Sequence, residues 1–349
     1  MGAPKYLRPD LPAAYPFTVR EQPWVAKLDQ NEAPVDLPAE LKRELALELA
    51  DRPWNRYVQP AEYQEAKRAL AEAVGVDADN LAITAGADQG LAAAAAIAGG
   101  PGRKIRWFEP TYPYVGHVSR MSRGDCQPLE LGPNIDAEVS AENVGAARLV
   151  FFVSPNNPTG GLVDREVVRK ALQDPGRLVV VDEAYYEYSR VTVADLLEDF
   201  SNLLVVRSLS KSLLAAAHVG YVLGSEPTIA SIDRMFTAPY NLTAQQLQIA
   251  RRYGQIRPHV IGVAELVRRE RDRVSAALEA SERVGRVYPS AANFVLFEVN
   301  GEVADVAAQL TDRGIRIRNV SGLAGLEGHL RVTIGSREDN DRFIEALDH

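Results

Sequence analysis

The chain has 349 residues and a mass of 38.2 kDa, room for one large or two medium domains whose core needs no staple. Lys and Arg number 39 against 47 Asp and Glu, a net charge of −8 that argues against nonspecific binding of nucleic-acid phosphates. The single cysteine, Cys126, excludes an internal disulfide, a cysteine zinc cluster and a CxxC redox motif.

Residues 1–35 are rich in proline and read as an irregular arm and the start of a small domain. The opening MGAPKYLRPDLPAAYP interrupts any apolar signal-peptide core with charges and prolines, and no apolar run reaches membrane-spanning length; the expected setting is the cytoplasm. Residues 36–255 read as a large α/β domain. Its expected strands are 80–84, 104–108, 127–130, 148–153, 177–182, 203–208 and 219–223. The unbroken apolar character of the middle ones predicts burial on both faces, as in a mostly parallel seven-stranded sheet sandwiched by helices. Residues 227–281 read as almost continuous helix. Residues 256–349 read as a smaller C-terminal α+β domain joined by that helix, with strands near 284–289, 293–299, 315–319 and 329–334.

In an open α/β sheet, chemistry is expected where strands end and helices begin. The basic residues divide into 32 arginines and seven lysines, which makes a short list of amine nucleophiles. Lys5 lies in the arm, and Lys42, Lys67 and Lys170 sit beside Arg or Glu on amphipathic helices, where a solvated face is expected. Lys27 precedes a strand and Lys104 opens one. Lys211 alone follows a core strand and the small hydroxyls of SLS, a setting that desolvates the amine and favours its neutral, nucleophilic form, with a buried structural ion pair as the equal alternative.

Other strand exits supply companions. Asp182 ends an apolar strand, where a carboxylate must be paired or hold something cationic. Tyr185 follows three residues later, Asn157 lies in SPNNPTG, and Tyr112 in FEPTYPY offers a flat ring. Gly86, Ala87 and Asp88 open an alanine-rich helix whose free backbone N–H groups suit a phosphate. Together these groups suit an aromatic ring bearing a cationic nitrogen, a phenolic oxygen, an aldehyde and a phosphate. Each has a structural alternative: NPTG serves as a turn in any protein, Tyr185 can be a core aromatic, and Arg331 can pair with a surface acid.

The ligand with those features is pyridoxal 5'-phosphate. SPNNPTG, VVVDEAYYEY, SLSK and HLRVTIGS, with 25 residues from Asn157 to Asp182 and 29 from Asp182 to Lys211, resemble class I/II aminotransferases of fold type I, nearest the histidinol-phosphate aminotransferase branch. The resemblance implies that Lys211 holds the cofactor covalently and shuttles a proton, and that Asp182 keeps the pyridine nitrogen protonated. It implies Asn157 and Tyr185 on the phenolic oxygen, Tyr112 on the ring face, and Gly86, Ala87, Asp88, Ser208 and Ser210 around the phosphate. It further implies a homodimer in which Tyr57 reaches the partner's phosphate, and an Arg331 that grips the substrate carboxylate as a bidentate fork.

Two segments depart from the family pattern. AAAHVGY puts His218 where an arginine is usual, one donor in place of a charged fork, which implies weaker cofactor retention. KLDQNEAPVDLP keeps Asn31 and Glu32 of the substrate loop and loses the usual continuation; Arg318, then Arg56 and Arg20, are the candidates for a second cation near a substrate phosphate. The expected activity is amino transfer between an amino acid, glutamate first, and an oxo acid or imidazole-acetol phosphate. A decarboxylase or lyase such as threonine-phosphate decarboxylase, and an aromatic amino acid aminotransferase, share these motifs. A nicotinamide dehydrogenase, a P-loop NTPase, a serine hydrolase and a zinc protease lack theirs: no GxGxxG, GxxxxGK[ST], GxSxG or HExxH occurs.

Overall fold

The structure, a computed structural model, describes residues 23–134, 138–236 and 238–348. Its larger sheet has seven strands in the order β2 (Leu81–Thr84), β8 (Gly220–Gly224), β7 (Leu203–Ser208), β6 (Leu178–Asp182), β5 (Leu149–Val153), β3 (Lys104–Glu109) and β4 (Asp125–Glu130). β8 runs antiparallel to both neighbours, and the remaining pairs are parallel.

The sequences LVFFV, LVVVD and LLVVRS stay apolar until their final residues because both faces of the sheet are covered. Alternate side chains serve opposite cores. Phe152, Val181 and Val205 pack with residues of the helices Pro60–Val74 and Ala244–Ala280. Phe151, Val180, Leu204 and Val206 pack against the alanine-rich helix Gly86–Ala98. All seven strands expected in this sheet are present.

The smaller sheet has the order β1 (Ala26–Leu28), β11 (Ile315–Asn319), β12 (His329–Thr333), β10 (Phe294–Val299) and β9 (Val284–Val287). β1 pairs parallel with β11, and the other pairs are antiparallel. The helices Val303–Asp312 and Arg337–Asp348 close its buried face. Helix Ala244–Ala280 serves both layers: Leu247 to Val260 belong to the core of the large sheet, and Val263 to Leu278 to that of the small one. Pro258 lies inside this helix, just before the handover.

Three expectations need correction. The helix over 227–281 is two helices, Glu226–Met235 and Ala244–Ala280, because Pro239 cannot donate to a helical ladder and Thr243 caps a new start by accepting from the Gln246 N–H. Lys27 lies within β1 rather than before a strand. Lys67 is not solvated: it is 6% exposed, with its ammonium 3.3 Å from Asp233, whose other oxygen accepts from the Tyr63 hydroxyl at 2.6 Å. The lysine stem supplies apolar cover that the charge alone does not reveal.

Candidate functional site

The site lies at the exits of β2, β5, β6 and β7 and is faced by the start and end of the small sheet. Asp182, the last residue of β6, is 3% exposed and accepts from the Ala184 N–H at 3.0 Å. Burial pushes its carboxyl up to about 7. That corresponds to roughly 4 kcal/mol against the charged form. The Ala184 N–H already lowers this cost in part, and a cationic partner would lower it further.

Lys211 follows β7 in the turn Ser210–Ser212. The Tyr188 hydroxyl donates to its backbone carbonyl at 2.5 Å, and its ammonium donates to the Gln30 carbonyl at 3.1 Å. Burial, then the nearby Arg331 charge, brings the amine down to about 8. Two residues on, Leu213 has φ of 118°, a conformation that costs a non-glycine residue about 1–3 kcal/mol and that the surrounding packing enforces. The turn is therefore held in place rather than relaxed.

A backbone cradle lies opposite. Gly86, with φ of 71°, starts the helix Gly86–Ala98, whose first N–H groups lack helical partners. A Cβ on Gly86 would come 2.7 Å from the His218 imidazole, and one on Gly220 would come 2.5 Å from the Gly86 carbonyl carbon and 2.8 Å from the Ala87 nitrogen. Only glycines allow this approach. Ser208 accepts from the Ser210 N–H at 3.2 Å, while the Ser210 hydroxyl is buried without a hydrogen-bond partner. Tyr112, which precedes helix Pro113–Met121, donates its hydroxyl to the Asp88 carboxylate at 3.2 Å. Burial raises the Asp88 carboxyl, and the Tyr112 bond acts against it.

The small sheet supplies the other wall. Arg331, buried in β12, donates to Asn157 Oδ1 at 2.5 Å and to the Asp29 carbonyl at 2.6 Å, with its guanidinium 5.1 Å from the Phe294 ring. Asn31 adopts φ of 57° and donates its amide to the Tyr185 hydroxyl at 2.9 Å. Thr333 Oγ1 accepts from the Asn31 N–H and donates to Asn31 Oδ1. Tyr185 is buried edge-on against Phe294, and burial pushes its phenol up to about 12 while Arg331 and the Asn31 donor pull it down. Both Asn31 and Asn157 thus bind protein groups across the two sheets.

The residues singled out from the sequence converge, apart from Tyr57 and the three arginines considered for a substrate phosphate. Tyr57 is 79% exposed on the outer surface, with its ring edge-on to Tyr240 at 5.8 Å. Arg318 is directly opposite Arg331 in the β11–β12 register but half-buried beside the site. Arg56 is exposed, and Arg20 lies outside the described residues. Sequence reasoning missed the Gln30 carbonyl, Asn293, whose amide donates to the Asn31 carbonyl at 3.0 Å, and Thr333. Backbone carbonyls carry no side-chain signal, and a single Asn in SAANF or Thr in RVTIG has no distinctive spacing.

Residues 24–347 match the family described as aminotransferase class I and II, and the chain belongs to it. Among curated relatives, the histidinol-phosphate aminotransferase of Thermococcus kodakarensis is 37% identical over 356 residues, covering 98% of this chain and 97% of that one. Histidinol-phosphate aminotransferase 2 of Archaeoglobus fulgidus is 34% identical, covering 98% of each. The crystal structure of the histidinol-phosphate aminotransferase of Sinorhizobium meliloti, solved with pyridoxal-5'-phosphate, shares the fold with a TM-score of 0.83 and 23% identity, covering 99% of this chain and 97% of that one.

Proposed function

We propose that this chain is a pyridoxal-phosphate-dependent aminotransferase whose substrate pair is histidinol phosphate and imidazole-acetol phosphate, with glutamate as the other amino donor. The observation that carries the reading is the meeting, in one buried space, of an amine brought down to about 8, a carboxyl pushed up to about 7 and a partnerless serine hydroxyl beside a glycine-lined helix start. End-to-end identity with relatives named histidinol-phosphate aminotransferase supports the substrate.

The residues fit the cofactor. Ser210 Oγ needs a donor or acceptor, and a phosphate at the Gly86, Ala87 and Asp88 backbone, with Ser208, supplies one. His218, pressed against Gly86, adds one donor there. Asp182 gains the cation that its burial demands when it faces a protonated pyridine nitrogen. Asn157 and Tyr185 would hold the phenolic oxygen, and Tyr112, whose hydroxyl donates to Asp88, would cover the ring. The bound cofactor supplies an electron sink for the Cα–H electrons.

The chain's own groups do the rest. Lys211, in its neutral form, would be the residue that holds the cofactor and the base that moves a proton to and from Cα. Arg331 grips the substrate carboxylate, with Asn157 already at its Nη1. Arg318, one strand over, adds positive charge for a substrate phosphate, and Asn31 orders the loop beside it. The functional unit is a homodimer. Tyr57, Trp54 and Tyr240 form an exposed aromatic patch on each copy, and Tyr57 reaches the partner's phosphate.

The experiment is a pair of half-reactions with the yellow holoenzyme. Glutamate and histidinol phosphate are each expected to convert the cofactor to its amine form without release of carbon dioxide. Carbon dioxide release from a phosphorylated amino acid, or no response to histidinol phosphate while other amino acids react, sinks the assignment.

A further inference from the structure

Behind the site, on the opposite face of the large sheet, lies a buried ion pair that none of the steps above uses. Alternation along β6 and β7 sends Asp182, Val206 and Ser208 toward the helix Gly86–Ala98 and sends Glu183 and Arg207 the other way. Glu183 is 2% exposed and Arg207 5%. Arg207 donates through Nε and Nη2 to Glu183 Oε2 at 3.0 and 2.9 Å. Glu183 Oε1 accepts from the Val193 N–H at 2.8 Å and the Thr192 hydroxyl at 2.9 Å. The same guanidinium donates to Thr192 Oγ1 at 2.8 Å and lies 3.6 Å from the Tyr186 ring centre.

A buried ion pair adds little stability over a well-packed apolar substitute, so stability alone explains it poorly. Its position is more telling. Arg207 directly precedes Ser208 in the chain, and its guanidinium holds the residue after Asp182 and covers the residue after Tyr185. Three residues that meet the ring end and the phosphate end of the cofactor are thereby braced from behind by a single planar group. A planar, multidentate cation fixes direction as well as distance, which an ammonium cannot do.

We propose that Arg207 and Glu183 are a positioning pair that sets the spacing between the Asp182 end and the Ser208 end of the cofactor site. This rests on the pyridoxal-phosphate reading above.

The test measures cofactor dissociation from the holoenzyme and the induced circular dichroism of its visible band per bound cofactor. It compares wild type, Arg207→Lys, Glu183→Gln and, as a control, Lys67→Met, which removes a similarly buried cation of the helix Pro60–Val74. Arg207→Lys and Glu183→Gln are expected to bind pyridoxal phosphate about tenfold more weakly, the scale of one charged hydrogen bond, and to alter the induced signal. Lys67→Met is expected to lower the melting temperature and leave both cofactor readouts unchanged. Wild-type dissociation and signal in both site variants, with only a lower melting temperature, overturn the positioning role. Should Arg207→Lys fail to fold, the near-isosteric Glu183→Gln decides by the same readouts. A wild-type protein that binds no pyridoxal phosphate overturns the functional reading itself, and the pair's role with it.

Discussion

The two sheets contribute to the site in different ways. The large sheet presents Asp182 and Ser208 from the last ladder positions of buried strands, and Asn157 and Lys211 from the turns that leave them, before any ligand arrives. The small sheet presents Arg331 from β12 and the loop 29–32 from the end of β1, a strand of three residues. Apart from the β12 ladder that carries Arg331, its side chains and loop are held by hydrogen bonds across to the other layer: Arg331 to Asn157, Asn31 to Tyr185 and the Lys211 ammonium to the Gln30 carbonyl. One wall is built into the fold, whereas the other is held by polar contacts that can be exchanged for substrate. The first suits a resident cofactor and the second a ligand that comes and goes.

The largest effect should come from the built-in wall. Lys211→Ala is expected to lower the rate of amino transfer by at least about 10²–10⁴-fold, the usual worth of a positioned proton carrier, and to abolish the covalent cofactor linkage that borohydride reduces and fixes. An active variant would remove Lys211 from the chemistry. The next prediction uses the same lysine in the cofactor-free protein. An amine held near 8 is mostly charged below that value and neutral above it, so pyridoxal phosphate capture should accelerate as pH rises. From two pH units below that value up to the value itself, the neutral fraction grows roughly fiftyfold. Stopped-flow absorbance would follow it, and a midpoint above 10 would mean that burial does not perturb the amine. The smallest effect belongs to the exchangeable wall. Arg331→Lys should raise KM for glutamate about tenfold through loss of one charged hydrogen bond, with cofactor affinity unchanged. A change in cofactor affinity instead would show that the small sheet is part of the fixed wall.

The same contrast governs what the sequence revealed. The seven large-sheet strands were legible because runs such as LVFFV and LVVVD have no polar face, and Asp182 and Lys211 stood out against that apolar background. Glu183 and Arg207 were equally visible as charges at apolar strand ends; reading them as a pair required only noting that each sits one residue from a site residue. β1 was not legible, since AKL is too short to show alternation and gains its place from pairing with residues almost 300 positions away. The burial of Lys67 and the engagement of Asn31 by Thr333 were hidden for a similar reason: their partners are Asp233 and a β12 residue, distant in the chain.

Pro258 has a mechanical side. It has no N–H for the helical ladder, and it stands where helix Ala244–Ala280 passes from one core to the other. Leu247 to Ile256 before it and Val260 just after it pack with the large sheet, and Val263 to Leu278 with the small one. The rod that joins the two walls therefore lacks a ladder bond within a turn of the place where its buried face changes partners, and it is softer there than along the rest of its length.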